Sequence, residues 1–197
     1  VIGIPSNGNW VVIVGNGYDS TDNRAKLLII DVSNGALLKT IDTGIGSTTD
    51  PNGLGSPLIV DINNDRIVDY VYAGDLQGNM WKFDLTGSID HWGIAIKSGS
   101  TAKPLFIACD AYNTAGQCSS NAVRQPITSR PIAIAHPAGG IMLLFGTGSY
   151  FLTEDSIALS RKEAVYGIRD NQETNTVSKL NLLQQNIVSE VGASSEN

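Results

Sequence analysis

Apolar residues along this chain fall in short runs of five to seven positions, each closed by glycine, proline, asparagine or aspartate. No stretch carries a helical period over several turns, and that pattern reads as strands joined by turns. Three runs end in the same kind of glycine turn: "WVVIVGNG" (10–17), "VDYVYAGD" (68–75) and "IMLLFGTG" (141–148). Aligned on Gly15, Gly74 and Gly146, the segments before them also correspond. "VIGIPSNGN" at the start matches "RPIAIAHPAGG" without a gap, so Val1 stands opposite Ile132. Each reads as strand, tight turn, strand, a β-hairpin. "SPLIV" is the counterpart before the second run, with a turn longer by two residues, "DINNDRIVD". Strand Leu58–Val60 is expected to enter that turn and strand Val68–Ala73 to leave it. After each glycine turn comes another strand candidate: "KLLIIDV" (26–32), "NMWKFDL" (79–85) and "AVYGIRD" (164–170). The first two lead through a Gly turn to a further run such as "ALLKTID".

Three or four antiparallel strands, repeated about three times, predict an all-β chain built as a modified, incomplete or fragmentary β-propeller of antiparallel blades. The alternative is a two-sheet sandwich whose hairpins resemble one another by coincidence. The glycine turns lie further apart than the ~40–50 residues of a typical blade. Residues 1–197 are therefore expected to form part of one propeller domain, with an insertion around 98–127. Three units do not close a ring, and the chain begins inside an apolar run without Met, so it reads as an excised or processed piece. The polar tail 171–197, with "KLNLLQQNIVSEV", fits a strand or a short helix equally.

Composition sharpens this picture in two places. With 13 basic and 19 acidic residues the formal charge is −6, which argues against nucleic acid and suits a divalent cation. No run approaches the ~20 apolar residues of a membrane-spanning helix. Cys109 and Cys118 bound a small polar loop, "CDAYNTAGQC", of a length that suits a disulfide; two unrelated thiols are the other reading. A disulfide would place the chain in an oxidising compartment outside the cytoplasm.

The long turn at 61–69 holds the candidate chemistry. Asp61, Asn63, Asp65 and Asp69 crowd oxygen-bearing side chains into nine residues. Calcium takes six to eight oxygen ligands at ~2.3–2.6 Å, and a loop supplies them from alternate positions. Here the candidates are Asp61, Asn63, Asp65, the backbone carbonyl of Ile67, and Asp69. The spacing matches the D-x-[DN]-x-[DN] start of a known calcium loop. It lacks that loop's glycine at position six, which is Arg66, and its glutamate at position twelve, which is Tyr72. Magnesium prefers fewer protein ligands, and zinc would want His or Cys. The bland reading is an exposed acidic hairpin satisfying turn chemistry. Against it stand the strict register and three carboxylates that repel without a cation.

Other candidates are thin. "GYDSTDNR", with Asp19 and Asp22, reads as a turn; His91 and His136 are isolated surface residues, His136 in a hairpin turn. Trp10, Trp81 and Trp92 read as core packing rather than a ligand platform. "GNG" and "GTG" lack the strand-turn-helix setting of a phosphate cradle. No catalytic constellation assembles, so the chain is not expected to be an enzyme.

"GNGYDS", the acidic loop running into "VYAGDLQGNMWKFDL", and "FGTGSYF" together resemble the C-terminal β-propeller domain of the PilY/PilC family of type IV pilus tip-associated adhesins and biogenesis factors. The likeness spans roughly residues 10–170. It implies an extracellular or cell-surface, pilus-associated module, the outer membrane being the other location, that supports pilus extension against retraction, twitching motility and host-cell adhesion. Pilus proteins, pilin or minor pilins, and a host-cell receptor are the implied partners. In that family the acidic loop binds one calcium ion, and the matching positions are Asp61, Asn63, Asp65, Ile67 and Asp69. The family's adhesive N-terminal half lies outside this chain. Two other readings stand beside it: a fragment of a quinone-dependent dehydrogenase propeller, whose converging Arg, Asn and Glu ligands are not evident here, and a carbohydrate-binding propeller.

Overall fold

The computed structural model describes residues 1–151 and 162–185. Apart from one 3-10 turn, Lys179–Asn181, its regular elements are strands. The first sheet runs in order β1 (Ile2–Gly3), β2 (Val11–Gly15), β3 (Lys26–Asp31), β4 (Leu37–Asp42). The second has β5 (Leu58–Val60), β6 (Tyr70–Gly74) and β7 (Asn79–Asp84), then β8 (Gly93–Ile94) against β7. A small ribbon of β9 (Lys97–Ser98) and β10 (Thr101–Ala102) follows. β11 (Phe106–Ile107) then returns to the second sheet, and β12 (Ile132–Ala135), β13 (Ile141–Gly146) and β14 (Val165–Asp170) form the third. All strand pairings are antiparallel, and the architecture is an incomplete β-propeller of three blades.

The repeat is kept in its strand register. Leu58 faces Tyr72 and Ile132 faces Leu144, while Val1 and Ile13 exchange backbone bonds of 2.9 and 3.0 Å. These are the same positions relative to Gly74, Gly146 and Gly15, so one register builds all three hairpins. A one-residue slip would turn every apolar side chain to the wrong face. The extra length of the second hairpin lies wholly in its connection, 61–69. The strand leaving it begins at Tyr70, later than the expected Val68. Val68 instead makes a parallel bridge to Pro5 of blade one, its N–H donating to Ile4 O at 2.8 Å.

Side-chain alternation shows how the blades stack. Along β3 and β14 only every second residue is buried, but β7 is buried at its first five positions. Val71, Ala73, Trp81 and Phe83 face blade one, packing with Val11, Ile13, Leu27 and Ile29. Tyr72 and Met80, on the opposite face, pack with Phe106, Leu143, Phe145 and Ile168 towards blade three. Blade two is thus the filling between two cores, and each large side chain enclosed there contributes roughly 1.5–3 kcal/mol. Trp81 and Trp92 lie in this core as expected; Trp10 does not, being 59% exposed.

The glycines that expose the repeat have a packing cause. A Cβ on Gly15 would overlap the carbonyls of Leu54 and Gly55, and one on Gly74 would overlap the side chain of Ile127. In both places the link entering the next blade crosses directly over the glycine turn. Gly146 has no such neighbour among the described residues.

One expectation changes in detail, and one that was open between strand and helix is decided as far as residue 185. Residues 98–127 are not wholly an insertion, because β11 pairs with β7 beside β8 and the two short strands divide the blade's outer position. The tail forms the 3-10 turn rather than a strand as far as residue 185, and 186–197 lie outside the described residues. Cys109 and Cys118 are disulfide-bonded.

Candidate metal centre

β5 and β6 carry the acidic loop between them, and the loop is folded around Asp61. The Asp61 carboxylate accepts the N–H groups of Asn64 at 2.7 Å, Asp65 at 3.3 Å and Arg66 at 2.7 Å. Asp65 accepts the N–H of Ile67 at 2.8 Å, and Asn63 Oδ1 accepts that of Asp65 at 2.9 Å. Asp69, buried at the root of the loop, accepts the N–H of Ile62 at 2.9 Å. Short oxygen side chains that bond the backbone a few residues on are what bend a turn this tightly.

The curl demands left-handed backbone at two positions, Asn64 with φ 62° and Arg66 with φ 72°. Asparagine tolerates this region; for arginine it costs roughly 1–2 kcal/mol. Position six is where the comparable calcium loop has its glycine, so Arg66 supplies the same backbone bend without being one. The bond from its N–H to Asp61 offsets part of the strain.

The predicted ligands are therefore gathered on one loop, though not in a closed cage. Among the described residues no three His, Cys, Asp or Glu side chains converge closely enough to hold an ion by themselves. A cation here would draw on the Asn63 amide and the Ile67 carbonyl as well as on carboxylates. The Asn63 Nδ2 group now donates to Asp65 Oδ2 at 3.0 Å, and the amide would have to turn its oxygen inward. Each carboxylate still has lone pairs beyond those the amides use. The donor set fits a hard, oxygen-seeking cation.

The other sequence candidates form no site. "GYDSTDNR" is a turn with Asp19 and Asn23 left-handed, and Asp22 forms an ion pair with Lys26. The hydrogen bond from Lys26 holds the Asp22 carboxyl below the usual range. His136 closes the β12–β13 turn, and His91 contacts Ser88.

Two buried polar clusters escape the sequence reading. Asp75, fully buried, accepts Asn52 Nδ2 at 2.9 Å, the Gln77 N–H at 2.9 Å, the Asn79 N–H at 2.9 Å and Trp81 Nε1 at 2.8 Å. Its own carbonyl accepts the N–H of Ile127 at 2.9 Å. It ties the links into blades two and three to the turn of blade two. Burial pushes its carboxyl up, and the Trp81, Asn79 and Asn52 donors pull it part of the way back. The signal was an aspartate directly after the crossed glycine, inside "YAGDLQGNMWKFDL". The second cluster joins blades two and three: Lys82 Nζ lies 2.8 Å from Asp170 Oδ2, with both side chains almost wholly enclosed. Tyr72 OH donates to the same oxygen at 2.7 Å, and the Tyr70 ring lies 4.2 Å below the ammonium. Burial, then the Asp170 charge, pushes the Tyr72 hydroxyl well up.

The three antiparallel sheets, stacked through the shared faces of the second, define a β-propeller segment. The family model for the PilY1 beta-propeller domain matches residues 1–194, and the chain belongs to that family. The type IV pilus biogenesis factor PilY1 of Pseudomonas aeruginosa strain PAO1 is 38% identical over 194 residues, a match covering 92% of this chain and 17% of that relative. A PilY1 homolog of Xylella fastidiosa is 39% identical over 175 residues, covering 84% of this chain and 11% of its own length. The crystal structure of the P. aeruginosa PilY1 C-terminal domain superposes with a TM-score of 0.77 at 35% identity, covering 92% of this chain and 40% of that one. These relatives are named as pilus biogenesis factors and not as enzymes.

Proposed function

We propose that this chain is the calcium-binding part of a type IV pilus biogenesis propeller, and that the cation at 61–69 orders a surface read by the pilus machinery. Asp61, Asn63, Asp65, Asp69 and the Ile67 carbonyl hold the ion. The observation that carries this reading is the left-handed Arg66, drawn over Asp61 by a 2.7 Å bond, which gives the loop a calcium-loop bend without the usual glycine. Family membership supports a type IV pilus setting; within it we propose a role on the cell surface in pilus extension against retraction, twitching motility and adhesion to host cells, with pilin or minor pilins and a host receptor as partners.

Calcium binds the folded loop far better than the unfolded chain, so it stabilises the hairpin by about 2.7 kcal/mol at a hundredfold excess over Kd. Extracellular calcium modules have Kd values down from ~10⁻³ M, which lets ambient calcium set occupancy. The test is Asp61→Ala in the parent protein. Bacteria carrying it should export the protein yet lose surface pili or twitching, with piliation restored when retraction is disabled. Normal piliation and motility would reduce the cation to a structural staple.

A further inference from the structure

After β14 the chain does not leave the domain but returns across blade two as an extended strap. The Thr176 hydroxyl donates to Pro104 O at 2.9 Å and the Val177 N–H to Leu105 O at 2.6 Å, on the two residues that lead into β11. Val177 and Leu182 pack on the core shared by blades two and three. Between them, Ser178 caps the 3-10 turn by accepting the N–H of Leu180 at 3.3 Å. The strap roofs a groove of about 530 Å³ whose walls include Phe106, Ile107 and Cys118.

Its far end rests on the disulfide loop. Cys109 and Cys118 close a miniature hairpin, in which Tyr112 bridges Cys118 and the Ser119 N–H donates to Ala111 O at 3.0 Å. At its tip Gly116 is left-handed, φ 73°, and its carbonyl accepts the Lys179 N–H at 3.4 Å. The fit is close: a Cβ on Gly116 would overlap Ser178 Oγ and come within 2.8 Å of Leu180 Cγ. The Lys179 ammonium lies 5.7 Å from the Tyr112 and Tyr166 ring centres, within range of a cation–π attraction. The Tyr112 hydroxyl is itself held by the Ile107 carbonyl at 3.0 Å and the Cys109 N–H at 3.1 Å. Pro104, Leu105 and Tyr166 also bear the strap, but the supports of its 3-10 turn at Tyr112 and Gly116 sit inside the segment the disulfide closes.

We infer that the Cys109–Cys118 disulfide is the buckle of this strap: the closed loop holds residues 176–182 over the approach to β11, and reduction releases them. The reaction is ordinary exchange. An external dithiol gives up two electrons and two protons, becoming a disulfide, and Cys109 and Cys118 become thiols. Without the bond, the residues between the cysteines regain chain freedom, and the Gly116 and Tyr112 contacts lose their common support. None of residues 176–182 is fully buried, which places the strap at the low-stability end of the fold. The structure thus couples the redox state of one loop to the covering of another segment.

Hydrogen exchange of the oxidised chain and of the same chain treated with a dithiol, its reduction verified by thiol titration, tests this. Release should speed exchange at Val177 and Lys179 on the order of tenfold or more while β6 and β7 keep their protection, the signature of local opening. Unchanged exchange at Val177 and Lys179 would overturn the coupling. Loss of protection through β6 and β7 as well would overturn it too, in favour of a staple for the whole domain. Gly116→Ala gives a second test with the disulfide intact. The added methyl should displace Ser178 and Leu180 and free the strap alone, and a strap as protected as in the parent chain would count against the buckle.

Discussion

Two aspartate-bearing turns stand a few residues apart on β6 and have opposite characters. At the near end, the loop 61–69 is exposed over most of its length, and its carboxylates bond only the N–H groups of their own loop. At the far end, the Asp75 carboxylate is fully buried and draws donors from Asn52 in the link into blade two and from Gln77, Asn79 and Trp81 of blade two itself. The carboxylates of the first cluster lie on an exposed loop and keep lone pairs beyond those the amides use. The second is saturated by donors, with no room for a ligand, and its work is to join blades. A carboxylate alone therefore says little about function; what surrounds its lone pairs decides it.

That contrast breaks most sharply at Asp75. Asp75→Ala removes the acceptor for several enclosed donors, each of which costs ~1–3 kcal/mol when left unpaired. We expect a loss of at least about 3 kcal/mol, a large part of the whole stability of a domain. Denaturant unfolding followed by tryptophan fluorescence reads it, since Trp81 is one of the donors. A loss below ~1 kcal/mol would show that the cluster relaxes around water.

Lys82→Met is next. It strands the Asp170 carboxylate in the blade two–blade three core, at a cost of about 3–5 kcal/mol. Replacing the pair together, Lys82→Met with Asp170→Leu, should recover part of that loss, because no buried charge is then unpaired. A double variant less stable than both singles would mean the pair contributes net stability beyond blade specificity.

Asp61→Ala should be milder in calcium-free buffer. It removes backbone bonds on an exposed loop, about 1 kcal/mol, and should leave the blades folded. The larger effect is loss of the calcium-dependent rise in melting temperature. Equal melting curves for both proteins with and without calcium would remove any distinction between the two aspartate turns.

The smallest effect concerns Asp31, whose carboxyl the Ser33 hydroxyl and N–H hold below the usual range. Its folded pKa lies below the unfolded value, so the stability it contributes is present above that value and is lost as pH falls through the folded one. Ser33→Ala should shrink that acid-side loss slightly, as a stability–pH series would show. An unchanged acid limb would mean the Ser33 N–H alone holds the charge.

Much of this was legible in the sequence because the repeat is written in backbone requirements. Gly15 and Gly74 are glycine because a link crosses over them, and that fixed point let three hairpins be aligned to their observed register. The acidic loop stood out because its extra length falls where the other hairpins have tight turns. The divided outer strand of blade two was not legible, since β8 and β11 are two residues each and carry no periodicity. Nor was the Lys82–Asp170–Tyr72 cluster, because Tyr72 and Asp170 are 98 positions apart and meet only when blades stack. Asp75 lay within the run that most clearly marked the family resemblance, yet burial, which defines its role, has no local signature.

The proposed calcium site at 61–69 consists of Asp61, Asn63, Asp65, Asp69 and the Ile67 carbonyl. Titration calorimetry with calcium on the parent chain and on Asp65→Ala tests it most directly, with circular dichroism showing that both remain folded. One saturable site is expected in the parent chain and none in Asp65→Ala. Undiminished calcium affinity in a folded Asp65→Ala protein would contradict it.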